Sequence, residues 1–234
     1  MPPQQASTLQ AIKAWHRLAG AGRRPPTPES QRLNALKQKL LLLGSMVEEA
    51  AVLARAVLAV PDMEAAPQLR SGDDRIDLLY RQLEEDCTQL LTERVLPRQQ
   101  VREVLSYLHC VRDLERVGDY CKELAELGEQ LLPAQPVVFR DAILTMFDRC
   151  RSLLAQALDS VSEEDASAGE RLQALDDLVD MDYAHLLGQL KELKPEQLAG
   201  SSLESVLLLV LLIRCIERMA DHAVNASRRM ARLG

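Results

Sequence analysis

Residues 112–119 read RDLERVGD and residues 214–221 read RCIERMAD, so the pattern R-x-x-E-R-x-x-D occurs twice at a spacing of 102. A second pattern, D-D-x-x-D-x-x-Y, occupies 73–80 and 176–183 at a spacing of 103. Two independent patterns that repeat with nearly the same offset mark one structural unit present in two tandem copies. The 234 residues are therefore expected to fold as two similar halves. With 47% apolar residues each half can bury a core, and with only 3% aromatics that core must be aliphatic. Leu, Ala, Glu, Arg and Gln are abundant, a composition that favours packed helices over sheets.

Breakers divide each half into three. The stretch GAGRRPPTPES at 20–30 cannot lie inside a helix and reads as a linker, with a short helix over 7–19 ahead of it. Periodicity predicts helices over 29–59, 73–95 and 98–131, separated by VPDMEAAPQLRSGD (60–73) and by Pro97. LPAQP at 132–136 divides the chain, and helices over 137–162, 170–192 and 203–232 follow, with breaks at SEEDASAG and KPEQLAGSS. The expected fold is all-α, a tandem pair of homologous antiparallel three-helix bundles over 29–133 and 134–234, behind an N-terminal extension and linker over 1–28.

Several function classes drop out. A net charge of −7 offers phosphates no basic face, so nucleic acid is not an expected partner. The five cysteines form no C-x-x-C pair, and each lies in a predicted helix, as small buried residues of a reducing cytosol do. No apolar leader opens the chain. The longest aliphatic run, VLLLVLLI at 206–213, is far short of the roughly 20 residues of a membrane span, and reads as a helix segment buried on all sides. The basic end Arg228-Arg229-Met230-Ala231-Arg232 complements a helix C-terminus. Neither a Gly-rich phosphate loop nor a nucleophile elbow is present, and no Glu-x-x-His motif of the di-iron oxidases. No enzyme chemistry is expected.

The repeated patterns hold four carboxylate pairs: Asp73/Asp77, Glu115/Asp119, Asp176/Asp180 and Glu217/Asp221. At i, i+4 both members project from one helix face, where like charges cost a few tenths of a kcal/mol. Taken singly, each pair with its neighbouring arginines matches an ordinary solvated, charge-laced face. Two points argue for more. Glu217 and Asp221 continue the stripe Val206, Val210, Ile213, and Glu115 and Asp119 continue Val104, Leu108, Val111. The pairs Asp73/Asp77 and Glu115/Asp119 are also equidistant from the break at 96–97, and Asp176/Asp180 and Glu217/Asp221 from the break at 194–202. Each antiparallel hairpin therefore gathers four carboxylates at one height. Such an oxygen-only set suits Mg²⁺, Mn²⁺, Ca²⁺ or iron, and Zn²⁺ less typically. Asp74, Asp113 and Asp177 are further ligand candidates, and His222 is the one histidine beside a site.

At these residues the chain resembles the PhoU family of bacterial phosphate-uptake regulators. The resemblance rests on DLERVGDYCKELAE (113–126), IERMADHAVNASRRM (216–230), DDRID and DDLVD, and extends over about 30–232. It implies pseudo-twofold symmetry between the bundles and clusters of iron or zinc on Asp73, Asp77, Glu115, Asp119, Asp176, Asp180, Glu217 and Asp221. It also implies a cytoplasmic adaptor between a phosphate ABC transporter ATPase and a sensor histidine kinase, restraining phosphate-starvation signalling and uptake. Membrane association would then run through partners alone, and exposed helix faces leave room for a homodimer. The sequence departs from the family at Gln100, where an aspartate is usual, and at Ala220, which stands against Gly118 of the first copy. These departures fit a paralogue, or the detached form of a domain that elsewhere accompanies sodium–phosphate cotransporters. A metal-dependent hydrolytic bundle is the remaining alternative.

Overall fold

Thr27 starts the first helix: its hydroxyl oxygen accepts the Ser30 N–H at 3.2 Å. Pro28 takes the first helical position, where no N–H is needed, and Glu29 meets the positive end of the helix dipole. The computed structural model describes residues 27–59, 65–93, 95–131, 137–163, 165, 167–193 and 203–231. Its helices are α1 (Pro28–Ala59), α2 (Ala65–Glu93), α3 (Arg98–Leu131), α4 (Val137–Glu163), α5 (Ala168–Lys191) and α6 (Leu203–Ala231). No strand occurs among the described residues. Residues Leu36–Gly234 form one compact unit; of the other, Met1–Ala35, residues 27–35 at the start of α1 are described.

Helices α1–α3 and α4–α6 are two antiparallel bundles related by pseudo-twofold symmetry. Their most extensive contact is α3 against α6. Tyr120 and His222, which occupy the same place in the two copies, stack there with ring centroids 5.9 Å apart. Beside them Cys121 Sγ lies 3.9 Å from Met219 Sδ. Across the second interface, α1 meets α4: both Arg55 guanidinium nitrogens Nε and Nη2 donate to the Asp148 carboxylate, at 3.0 and 3.1 Å. The interior is aliphatic, with Tyr107 and Phe147 among its fully buried side chains. Each such Leu or Ile side chain removed from water contributes about 1.5–3 kcal/mol, so the long helices are held by packing rather than by propensity. All five cysteines are buried free thiols. No helix is long and apolar enough to cross a membrane, among the described residues.

Two expectations change. Helix α2 begins at Ala65, not at 73. Pro67 falls in the first turn, where its missing N–H breaks no bond, and burial of Ala65, Ala66 and Leu69 extends the helix through Ser71 and Gly72. The run at 206–213 is not buried on all sides, since Leu207 and Leu211 are 57% and 50% exposed while Leu209, Leu212 and Ile213 are in the core. Only one face of α6 there meets neighbouring helices. The stripe carrying the carboxylates runs along the margin of the buried face: Ile213, Val104 and Val111 are in the core, while Val206, Val210, Glu115, Asp119, Glu217 and Asp221 are half-buried. The short helix expected over 7–19 lies outside the described residues.

Close approach of α1 and α4 rests on Gly44, where a Cβ would stand 2.6 Å from Leu158 Cδ2. Gly44→Val is therefore expected to cost about 1–3 kcal/mol by overpacking. In the double variant with Leu158→Ala the loss is expected to fall short of the sum of the two single losses. Urea denaturation of the three variants measures both.

Candidate functional site

The hairpin of α2 and α3 brings three of its four carboxylates together. Asp73, Asp77 and Asp119 each offer an oxygen within 4.8 Å of the others. Ligand oxygens on one hard cation, at about 2.0–2.6 Å from it, lie within about that distance of each other. Glu115 stands next to them: burial, then the charges of Asp119 and Asp77, push its carboxyl above the usual range against the pull of Arg116. Asp119 is raised chiefly by burial, opposed by Arg116, with Asp73 and Asp77 adding to the rise. Asp73 is buried, and its Oδ1 receives no hydrogen bond from any described residue.

The second hairpin, α5 with α6, repeats the arrangement. Burial, followed by the charges of Asp180 and Asp221, raises Asp176 to about 6. Asp180 is raised by burial and by Asp221, and Glu217 by burial and by Asp221. Of these four, Asp176 is buried, Glu217 and Asp221 are half-buried and Asp180 is exposed. No three of them converge as tightly as in the first hairpin, among the described residues.

Guanidinium groups edge both sites. Arg116 Nη1 donates to Asp119 at 3.1 Å and its Nε lies 3.8 Å from Glu115; Arg81 donates to Asp77 at 3.4 Å. In the second half Arg214 donates to Glu217 at 2.8 Å and Arg218 to Asp221 at 3.1 Å. Arg214 also lies over the Tyr183 ring, 5.8 Å from its centroid. Lys122, not singled out by the sequence patterns, reaches from α3 to Asp73 with Nζ to Oδ2 at 2.5 Å. The signal for it was its position three residues after Asp119, on the same helix face.

The remaining candidates lie elsewhere. Asp113 is buried between α3 and α6: His222 Nδ1 is 3.0 Å from its Oδ1, and Arg229 Nε 3.6 Å from its Oδ2. A carboxylate accepts, so this contact calls for a proton on His222 Nδ1. Both residues thus join the two bundles rather than either carboxylate cluster. Asp74 and Asp177 are exposed, and Asp177 accepts from Gln173 at 2.9 Å. With carboxylate oxygen the shared donor of both clusters, the arrangement can hold hard or borderline cations, and offers no nucleophile with an adjacent base.

A family model described as PhoU domain matches residues 40–128 and again 143–230. The phosphate-specific transport system accessory protein PhoU homolog of Synechocystis is 33% identical over 86% of this chain and 88% of its own length. The homolog of Pseudomonas putida is 30% identical over 85% of this chain and 78% of its own length. The accessory protein PhoU of Escherichia coli is 22% identical over 82% and 79%. The crystal structure of PhoU from Pseudomonas aeruginosa matches with a TM-score of 0.81 and 26% identity, covering 87% of this chain and 97% of that one. That of the phosphate transport system regulatory protein PhoU from Streptococcus pneumoniae gives 0.78 and 27% over 88% and 96%.

The elevation of Asp176 fixes the sign of a pH effect. A folded-state value of about 6 lies above the unfolded value of about 3.9, so between these the folded chain holds a proton that the unfolded chain does not. Its contribution to stability therefore grows as pH falls from 7 to about 4.5. In chelator-treated protein Asp176→Asn should raise the melting temperature at pH 7.5 by roughly 2–4 °C, the effect of about 1 kcal/mol in a chain this size, and by less at pH 5. Thermal unfolding followed by circular dichroism at both pH values measures it.

Proposed function

Since the chain belongs to the PhoU domain family, as its two matched copies of the domain show, we propose that it is a non-enzymatic regulatory adaptor of phosphate transport. In this reading it restrains phosphate uptake and phosphate-starvation signalling on the cytoplasmic side of the membrane. Its contacts would be the ATPase of a phosphate ABC transporter and a sensor histidine kinase. Asp73, Asp77, Glu115 and Asp119 hold cations in one bundle, and Asp176, Asp180, Glu217 and Asp221 in the other. Iron or zinc clusters are the leading occupants, with Mn²⁺ or Mg²⁺ next.

One observation carries the cation part of this reading. A hairpin that gathers half-buried carboxylates to mutual repulsion is present twice, at equivalent places. Repulsion of that kind calls for something to offset it, and a multivalent cation does so with the donor set present. The buried, unbonded Asp73 Oδ1 fits the same account, since a ligand oxygen facing a cation has no need of a protein donor. The names of the relatives, which are accessory or regulatory proteins of phosphate transport, support the adaptor part.

Protein purified without chelator is expected to carry metal by elemental analysis, and the double variant Glu115→Gln with Glu217→Gln to carry much less. The same variant should weaken capture of the transporter ATPase or of the kinase in a pull-down. Metal-free protein, with the double variant unchanged in stability and in partner binding, would sink the cation reading. Failure of wild-type protein to capture either partner would sink the adaptor reading.

A further inference from the structure

We infer that Lys122 is a built-in cation of the first carboxylate cluster, so that the two clusters are unequal and an added divalent ion enters the second one first. The inference rests on the cation reading above and concerns which residues of this chain already do part of the cation's work.

In the first cluster every carboxylate has a positive partner. Asp73 pairs with Lys122 at 2.5 Å, Asp77 with Arg81 at 3.4 Å, and Asp119 and Glu115 with Arg116 at 3.1 and 3.8 Å. The lysine differs from the arginines in where its charge lies. It meets the deepest carboxylate, Asp73, which is only 5% exposed, whereas Arg81 and Arg116 meet half-buried groups at the edge. An ammonium is a compact charge on a flexible stem, suited to a position that an ion could also take. Asp73 Oδ1 remains buried and unbonded by any described residue beside it, an acceptor that Lys122 leaves unused.

The second cluster has no such group. The residue 102 positions after Lys122 is Val224, fully buried in the core. Glu217 and Asp221 keep their arginines, but neither Asp176, the deep carboxylate at 7% exposure, nor Asp180 forms an ion pair with a described residue. Arg228 lowers the charge repulsion on Asp176 from a distance while its Nη2 donates to Gln173. The geometry follows the charges. Three carboxylates of the first cluster converge, and no three of the second do among the described residues. Neutralisation by an ammonium permits the approach; without one, like charges stay apart. An incoming divalent ion must displace Lys122 at the first cluster and displaces no ammonium at the second.

The test is titration of chelator-treated, full-length protein with Mn²⁺, reading free ion by electron paramagnetic resonance. Two affinity classes are expected. Asp176→Asn should abolish the tighter class and Asp73→Asn the weaker. Lys122→Met should strengthen the weaker class on the order of tenfold and leave the tighter unchanged, while Lys122→Arg, which keeps the charge, should leave it weak. One class of equal sites, loss of the tighter class in Asp73→Asn, or unchanged affinities in Lys122→Met overturns the inference alone. Absence of Mn²⁺ binding at either cluster overturns the cation reading of both hairpins, and this inference with it.

Discussion

Helix α3 packs along α6, and each carries a carboxylate pair on the flank turned toward its own hairpin partner, α2 or α5. That packing is what makes the charges matter. Side chains such as Val117, Cys121, Ile216 and Met219 anchor the two helices in the core, and Cys121 meets Met219 across their contact. The carboxylates sit where that face ends, half withdrawn from water and close enough to repel across each hairpin. Moving α3 or α6 outward would relieve the repulsion but expose the core. Core burial is worth several kcal/mol and the repulsion less, so the charges stay where the packing puts them.

The two bundles repeat one three-helix order and differ in chemistry. Tyr120 and His222 stack as equivalents, but Asp113, which binds His222, has Cys215 as its counterpart. Lys122 has Val224. Substitutions of this kind cost nothing in fold, because the backbone sees only size and burial. They change what each half can bind or join, because a charge placed in a half-buried site acts far more strongly than one in water. Duplication therefore supplies two scaffolds, and a handful of side chains makes their sites distinct.

The fold is largely legible in the sequence. Repeat spacing, breakers at Pro97 and at 132–136, and helical periodicity place six helices, with every end but the start of α2 within a few residues. The start of α2 was missed because Pro67, Ser71 and Gly72 read as a break, while burial of Leu69 against its neighbours outweighs their weak propensity. The run at 206–213 was misjudged because composition records how apolar a segment is, not how many of its faces meet other helices.

At the carboxylates the division is similar. Positions four apart on a helix must share a face, and positions equidistant from a hairpin turn must share a height; both follow from the rise of 1.5 Å per residue and need no tertiary information. Side-chain reach across helices is another matter. That Asp113 turns into the α3–α6 interface to meet His222 and Arg229, and that the Lys122 ammonium rests on Asp73 rather than in solvent, depend on helix rotation and crossing. Those are set by how dozens of aliphatic side chains interlock at once, a sum over the whole core that no local pattern encodes.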